Sequence, residues 1–220
     1  MKWSAQLVSI LFHPLFSVFY GLAAMLLIKP HWFSVISWQD ARLIMLYVFI
    51  YTIFIPAIGI FLLLKTGFIK SLEMTQKFER IAPLILCMIF YFWLFINLKN
   101  QNNIPKVFQT FLLASVISLA LSFVLNNWIK ISLHMVGAGA LVMLLFFIRF
   151  SFSEDGLFYL RFHANQVSGF HLNSLIVSTL ANSGIIGTAR MIREAHYLEE
   201  IALGFFIGGF STILAFSYSY

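Results

Sequence analysis

The stretch Gly187–Glu200 reads GTARMIREAHYLEE and lies between two apolar segments of the chain. It places Arg190, His196 and Glu200, which are strongly ionic or titratable, just before and inside the last of these segments. Such groups are costly inside a bilayer, so their presence there indicates a functional site by default. If the last segment is helical from about Arg193, His196 and Glu200 lie four residues apart on one helix face, within reach of each other.

The spacing of His196 and Glu200 also suits a particular chemistry. A carboxylate bonded to one imidazole nitrogen fixes the tautomer, and the other nitrogen is then free to act as a base or a nucleophile. Arg190, six residues before His196, has a guanidinium fork that suits an oxyanion. The stretch Lys130–His134, which reads KISLH, is the second candidate group.

The composition places this stretch in a membrane protein. Apolar residues make up 61% of the 220 residues, charged residues 10%, and the mean hydropathy is +0.92. A soluble domain of this length could not bury so much hydrocarbon. The net charge is +6, but the basic residues are scattered singly, so we expect no nucleic-acid partner. We predict an all-α polytopic membrane protein, a bundle of about six or seven transmembrane helices forming a single domain over 1–220, with a motif-bearing core at about 65–217.

Seven apolar segments are candidate spans, at about 7–28, 43–64, 84–98, 107–125, 133–149, 172–188 and 197–217. Pro14 is expected to kink the first span beside His13. We interpret His13 as a histidine satisfied by a neighbouring helix, with a catalytic role as the alternative. Residues 150–171 form the longest connection, and we expect His163 and His171 there to be interfacial.

With seven spans, the connections after the second, fourth and sixth spans emerge on one membrane face, here called the motif face. Three groups of candidate residues fall there: Lys77 and Arg80, then Lys130, Ser132 and His134, then Arg190, His196 and Glu200. The segment 65–83, which holds the first group, mixes charges with apolar residues and suits either an interfacial stretch or a solvated loop. The sequence therefore predicts a site at one membrane face.

Several cations, a hydroxyl and two histidines on one face suit phosphoryl transfer. The cations would hold the non-bridging oxygens and stabilise the transition-state charge. One histidine would attack phosphorus and the other would protonate the leaving oxygen. This scheme requires no metal and no cofactor. A divalent-metal site of His134, His196 and Glu200 is the alternative, although the adjacent arginine and lysine would repel the ion.

These residues resemble the motifs of the membrane-bound type 2 phosphatidic acid phosphatase superfamily. That family has a Lys/Arg stretch ending in proline, then Pro-Ser-Gly-His, then Ser-Arg-x5-His-x3-Asp. Arg190, His196 and Glu200 match the third motif in both spacings, with glutamate in place of aspartate. Ser132 and His134 match the second motif at its serine and histidine.

The first motif is matched more loosely, by Lys77-x2-Arg80-x2-Pro83, which lacks the long gap of the family pattern. Leu133 and Ala189 replace a glycine and a serine of the other two motifs. The order of the three motifs along the chain agrees with the family.

The resemblance implies a role for each candidate residue. His196 would be the nucleophile that forms a phosphohistidine, Glu200 would orient it, and His134 would be the general acid. The phosphate-binding residues would be Arg190, Arg80, Lys77 and Ser132, and Lys130 adds a cation outside the family pattern.

The resemblance further implies a metal-independent lipid phosphatase that hydrolyses a phosphoric monoester or diphosphate. Its substrate would be a phospholipid or isoprenoid phosphate, such as phosphatidate, phosphatidylglycerophosphate, polyprenyl diphosphate or lipid A. The alternative is an inactive family member that binds anionic lipid, or a small transporter on the same bundle. We expect the protein in a bacterial cytoplasmic membrane. The motif face holds eight basic residues and the opposite face holds six. Four of the eight are candidate ligands, and without them the opposite face is the more basic one. By the positive-inside rule this favours a periplasmic motif face.

Overall fold

The computed structural model of the chain describes residues 2–34, 38–161 and 167–220. Among these residues, seven helical stretches are long and apolar enough to cross a membrane. They are Lys2–Ile28, Gln39–Lys65, Phe78–Leu98, Lys106–Leu125, Leu133–Ser151, Leu172–Ile192 and Leu198–Ser219. Each corresponds to one of the expected spans, so the prediction of an all-α polytopic protein is confirmed. His163 lies outside the described residues.

The described residues form nine α-helices: α1 (Lys2–Leu11), α2 (Ser17–Ile28), α3 (Trp38–Phe49), α4 (Ile55–Lys65), α5 (Ile81–Leu98), α6 (Lys106–Leu125), α7 (Leu133–Ser151), α8 (Leu172–Ile192) and α9 (Leu198–Ser219). The connection 150–171 contains an antiparallel hairpin of β1 (Leu157–Arg161) and β2 (Val167–His171). The sequence pattern did not predict this hairpin.

Prolines disturb the regular helical geometry of the first two spans. A single turn of 3-10 helix, Pro14–Phe16, joins α1 to α2, as the kink expected at Pro14 requires. A π-helical turn, Ile50–Phe54, joins α3 to α4, whose first turn holds Pro56. Proline lacks an N–H and clashes with the preceding turn, so the regular helical hydrogen bonds cannot continue through it. The first span is therefore a broken helix, and the second is a continuous helix that contains a π-helical turn.

Helices α7 and α9 approach each other closely through glycines. A Cβ atom added to Gly208 would lie 1.9 Å from the carbonyl oxygen of Val136, and one added to Gly139 would lie 2.0 Å from that of Phe205. Small residues allow this backbone contact, and no larger residue fits without moving a helix. The approach brings the start of α7 to the start of α9, where the Ser132 N–H donates to the carbonyl oxygen of Glu200 at 3.3 Å.

We expect Gly208→Ala to lower the free energy of unfolding by roughly 1–3 kcal/mol, because the new methyl group meets backbone that cannot rotate away. Thermal unfolding of the purified protein in detergent measures this loss. Gly184→Ala is the matched control, since a Cβ atom there meets nothing within 4 Å. Equal melting temperatures for the two variants would contradict the close approach.

Candidate active site

The position of His196 is set by the way α8 ends. The N–H of Ala195 donates to the carbonyl oxygen of Arg190 at 3.1 Å, a bond that closes a Schellman-type helix stop. Glu194 takes the left-handed conformation at this stop, with φ of 56°. The chain is therefore not helical from Arg193, and that expectation is wrong. His196 lies in the link before α9, and Glu200 lies in the first turn of α9.

His196 nevertheless reaches Glu200, and its hydrogen bonds define its tautomer. Its Nδ1 lies 2.8 Å from Oε2 of Glu200 and 3.1 Å from the carbonyl oxygen of Lys130, and both of these oxygens are acceptors. Its Nε2 lies 3.4 Å from Nη2 of Arg80, which is always a donor. Nδ1 therefore carries the proton, and Nε2 presents a lone pair. The Tyr197 N–H also donates to Oε2 of Glu200, at 3.2 Å.

The surroundings of His196 keep its ring neutral. The side chain is 1% exposed. Burial first, and then the positive charges of Arg80, Arg190 and Lys130, lower the pKa of His196 from 6.5 to about 3. A neutral imidazole with an unprotonated Nε2 has the form that a nucleophile requires, although Arg80 donates to this nitrogen in the structure.

Arg80, Lys130 and Arg190, here called the cation cluster, hold more positive charge than the nearby carboxylates balance. Nη1 of Arg80 donates to the carbonyl oxygen of Ile131 at 2.7 Å, and Nζ of Lys130 donates to that of Ala195 at 3.2 Å. Within the described residues, the buried Nε atoms of Arg80 and Arg190 have no hydrogen-bond partner. Burial and then the charge of Arg80 lower the pKa of Lys130. Buried donors without acceptors are costly, and an anion that accepted from these two Nε atoms would remove that cost.

Helix ends add to this positive field. Helices α5, α7 and α9 all begin at the motif face, and their first residues are Ile81, Leu133 and Leu198. A helix N-terminus carries a partial positive charge and favours anions within its first turn. Glu200 is one such group.

A cavity of about 710 Å³ extends from the cation cluster into the bundle. Along α5 its lining runs from Arg80 to Tyr91, and eleven residues of helix span about 16 Å, which is about half of the hydrocarbon thickness. Its deeper wall is mostly apolar and includes Leu84, Cys87, Leu119, Val136 and Ala140. The volume is typical of a site for a small ligand.

An ion pair lies at the mouth of this cavity. Nη2 of Arg193 is 2.6 Å from Oε1 of Glu73, and both residues line the cavity. The Glu73 side chain is 67% exposed, so the pair contributes at most about 1 kcal/mol. Sequence reasoning did not assign either residue to the site, because nothing in the segment 65–83 distinguishes Glu73 from the other charges around it.

The predicted site residues divide into three sets in the structure. The first set is centred on His196, which contacts Glu200, Arg80 and the carbonyl oxygen of Lys130. His134 and Arg190 line the cavity beside them. Lys77 and Ser132, the third set, do not line the cavity. The His196 side chain does not line it either and is almost fully buried.

The two residues outside the cavity are held in different ways. Nζ of Lys77 donates to the carbonyl oxygen of Trp128. Ser132 is fully buried before α7, and its hydroxyl has no partner among the described residues. The positions of Lys77 and Ser132 therefore do not support the phosphate-binding roles predicted for them. Lys77 is held by the packing of the 65–83 segment, and Ser132 by the packing of α7 against α9.

His13 also lines the cavity, although the sequence analysis did not include it among the site residues. Its ring lies 5.6 Å from that of His134, centroid to centroid, and both rings line the cavity. The available signal was a titratable side chain inside an apolar span next to a proline. In the described part of the chain, no three His, Cys, Asp or Glu side chains are grouped closely enough to hold a metal ion, and His134 does not join His196 and Glu200.

Comparison of the chain with protein-family models, with curated proteins and with solved structures finds no match. The site is therefore interpreted from its own residues and their motif spacing.

We expect Arg80→Met to raise the pKa of His196 from about 3 toward 6.5, because Arg80 is the charge that lowers this pKa most after burial. A pH titration of the ring signals by NMR measures the change. Arg149→Met, at the opposite end of α7, is the control and is expected to leave the pKa of His196 unchanged. An unchanged pKa in the Arg80 variant would contradict the charge arrangement described above.

Proposed function

We propose that the protein is an integral-membrane, metal-independent lipid phosphatase of the type 2 phosphatidic acid phosphatase kind. The observation that carries the proposal is the cation cluster, with its unpartnered guanidinium Nε atoms, at the head of an apolar cavity that reaches about half-way into the bundle. An amphipathic anion with a phosphate head and a hydrocarbon tail fits both parts. A water-soluble phosphate compound has no hydrocarbon tail to occupy the apolar part of the cavity.

In the first chemical step, the phosphate enters the cation cluster and takes the Nη2 donor of Arg80 away from His196. Nε2 of His196 then attacks phosphorus while the bond from phosphorus to the lipid oxygen breaks. Glu200 stabilises the positive charge that develops on the ring, through the Nδ1 bond at 2.8 Å. His134, which has taken the proton of the entering phosphate monoanion, protonates the leaving oxygen. Arg80, Arg190 and Lys130 stabilise the charge on the non-bridging oxygens.

In the second step, water attacks the phosphohistidine. His134, now neutral, takes the proton of that water as general base. The bond from phosphorus to Nε2 breaks, inorganic phosphate takes the proton back from His134 and leaves as the monoanion, and His196 returns to its Nδ1-protonated form. Each atom and proton is then back where it began, and no metal or cofactor takes part.

The walls of the cavity suggest how a lipid would enter. Ile10 on α1 and Phe61 on α4 both line the cavity, and they are 56% and 51% exposed. Helix α1 packs against α8, and α4 packs against α5, and all four of these helices contribute residues to the cavity lining. Phosphatidate, phosphatidylglycerophosphate, polyprenyl diphosphate and lipid A are the substrates to test. The bacterial cytoplasmic membrane and a periplasmic motif face remain part of the proposal.

One observation favours the alternative of an anionic-lipid binder without catalysis. The Nε2 lone pair of His196 is engaged by Arg80, and the His196 side chain is 1% exposed. A binder would hold phosphate on the cation cluster and leave His196 covered. Turnover separates the two functions.

The test measures phosphate release from this lipid panel by purified protein in detergent, with EDTA present. Wild type is expected to release phosphate from at least one lipid. His196→Ala is expected to reduce release to background, and His134→Ala to reduce it by about 10²–10⁴-fold. Vanadate, which mimics the trigonal-bipyramidal state, should inhibit.

His171→Ala is the matched control, because His171 begins α8 at the other membrane face, and its rate should equal that of wild type. Binding of the lipids without release would support the binder. Release that survives in the His196 variant would rule out His196 as the nucleophile.

A further inference from the structure

The first span breaks beside His134, and Pro14 causes the break. The residue before a proline avoids the helical conformation, and His13 accordingly has an extended backbone, with φ of −61° and ψ of 139°. The His13 N–H donates to the carbonyl oxygen of Ile10 at 3.3 Å. In a continuous helix it would donate to Ser9 instead, four residues earlier.

The carbonyl oxygen of Ser9 is therefore left without its helical donor. It lies 3.0 Å from Nε2 of His134, which takes the place of that donor. A carbonyl oxygen only accepts, so Nε2 of His134 carries a proton. The nitrogen of His134 that remains for the reaction is Nδ1.

The ring of His13 contacts the ring of His134 and restricts its orientation. The two rings meet edge to face, with an interplanar angle of 76° and a centroid distance of 5.6 Å. His13 is itself held, because its Nδ1 accepts from the Leu15 N–H at 3.4 Å. The Ser9 bond sets the direction of the His134 ring, and the His13 contact sets its plane.

We propose that the Ser9 carbonyl and His13 are positioning groups for His134, so that the broken first span is a working part of the site. The proposal rests on the proposed function in one respect, that His134 is the general acid. Nε2 keeps its proton throughout, bonded to Ser9. Nδ1 takes a second proton from the entering phosphate monoanion, gives it to the leaving oxygen in the first step, takes a proton from water in the second and returns that proton to the departing phosphate.

The leaving group supplies the test, because an alkoxide needs a proton from the enzyme and a nitrophenolate does not. Turnover of dodecyl phosphate and of 4-nitrophenyl phosphate is compared in wild type, His134→Ala, His13→Ala and Pro14→Ala. His134→Ala should lower kcat for the alkyl ester by about 10²–10⁴-fold and affect the aryl ester far less. His13→Ala should shift the ratio of the two rates in the same direction by about tenfold. Pro14→Ala, which allows the His13 N–H to return to Ser9, should do likewise.

The double variant of His13 and His134 separates positioning from structure. If His13 acts through His134, the double variant should be no slower on the alkyl ester than His134→Ala alone. His171→Ala should leave both rates unchanged. Equal losses on both esters in His13→Ala, or losses that multiply in the double variant, would overturn the proposal.

A second measurement needs no turnover. In protein labelled with ¹⁵N-histidine, the ring signals of His134 are assigned by their absence in His134→Ala. Wild type should show the proton on Nε2, and Pro14→Ala should redistribute it between the two nitrogens. A proton on Nδ1 alone in wild type, or identical signals in wild type and Pro14→Ala, would overturn the proposal even if the enzyme assignment stood. Failure of the lipid assay with the expected ring signals would count against the proposed function alone.

Discussion

The imidazole of His196 is held between an acceptor and a donor, and the rest of the motif face is arranged around that contact. Glu200 and the Lys130 carbonyl bind its Nδ1, and Arg80 binds its Nε2. These groups come from the start of α9, the link before α7 and the start of α5. One ring therefore connects three transmembrane spans, and its neutral form depends on all of them.

The second constraint is electrostatic. Arg80, Lys130 and Arg190 lie close to one another, and Glu200 is already bonded to His196. Partial burial raises the cost of this imbalance, since charges interact more strongly away from water. Three helix N-termini add to the same field rather than opposing it. A phosphate group would relieve the imbalance, while the apolar walls deeper in the cavity would accommodate the hydrocarbon of the same molecule.

Backbone irregularities place the side chains that regular helices could not. Glycines let α7 and α9 approach until the Ser132 N–H reaches the carbonyl oxygen of Glu200. Glu194, in the left-handed conformation, ends α8 and turns the chain, and Nε2 of His196 then lies near Arg80. Pro14 breaks the first span and frees the Ser9 carbonyl for His134. Each of these features positions a residue of the candidate site.

The sequence by itself determined the seven spans, the shared face of the motifs and the pairing of His196 with Glu200. The spans follow from hydropathy, which is a local property of the sequence. The membrane side of each connection follows from counting the spans. His196 and Glu200 are only four residues apart, so they stay within reach of each other even though His196 is not in a helix. Only the tertiary structure decided that α8 ends before His196, because neither glycine nor proline marks that stop. It also decided that His13 joins the cavity while Lys77 and Ser132 do not. The lining of the cavity depends on contacts between residues far apart in the chain, such as Ser9 and His134, which are 125 positions apart, and the packing of the helices decides those contacts.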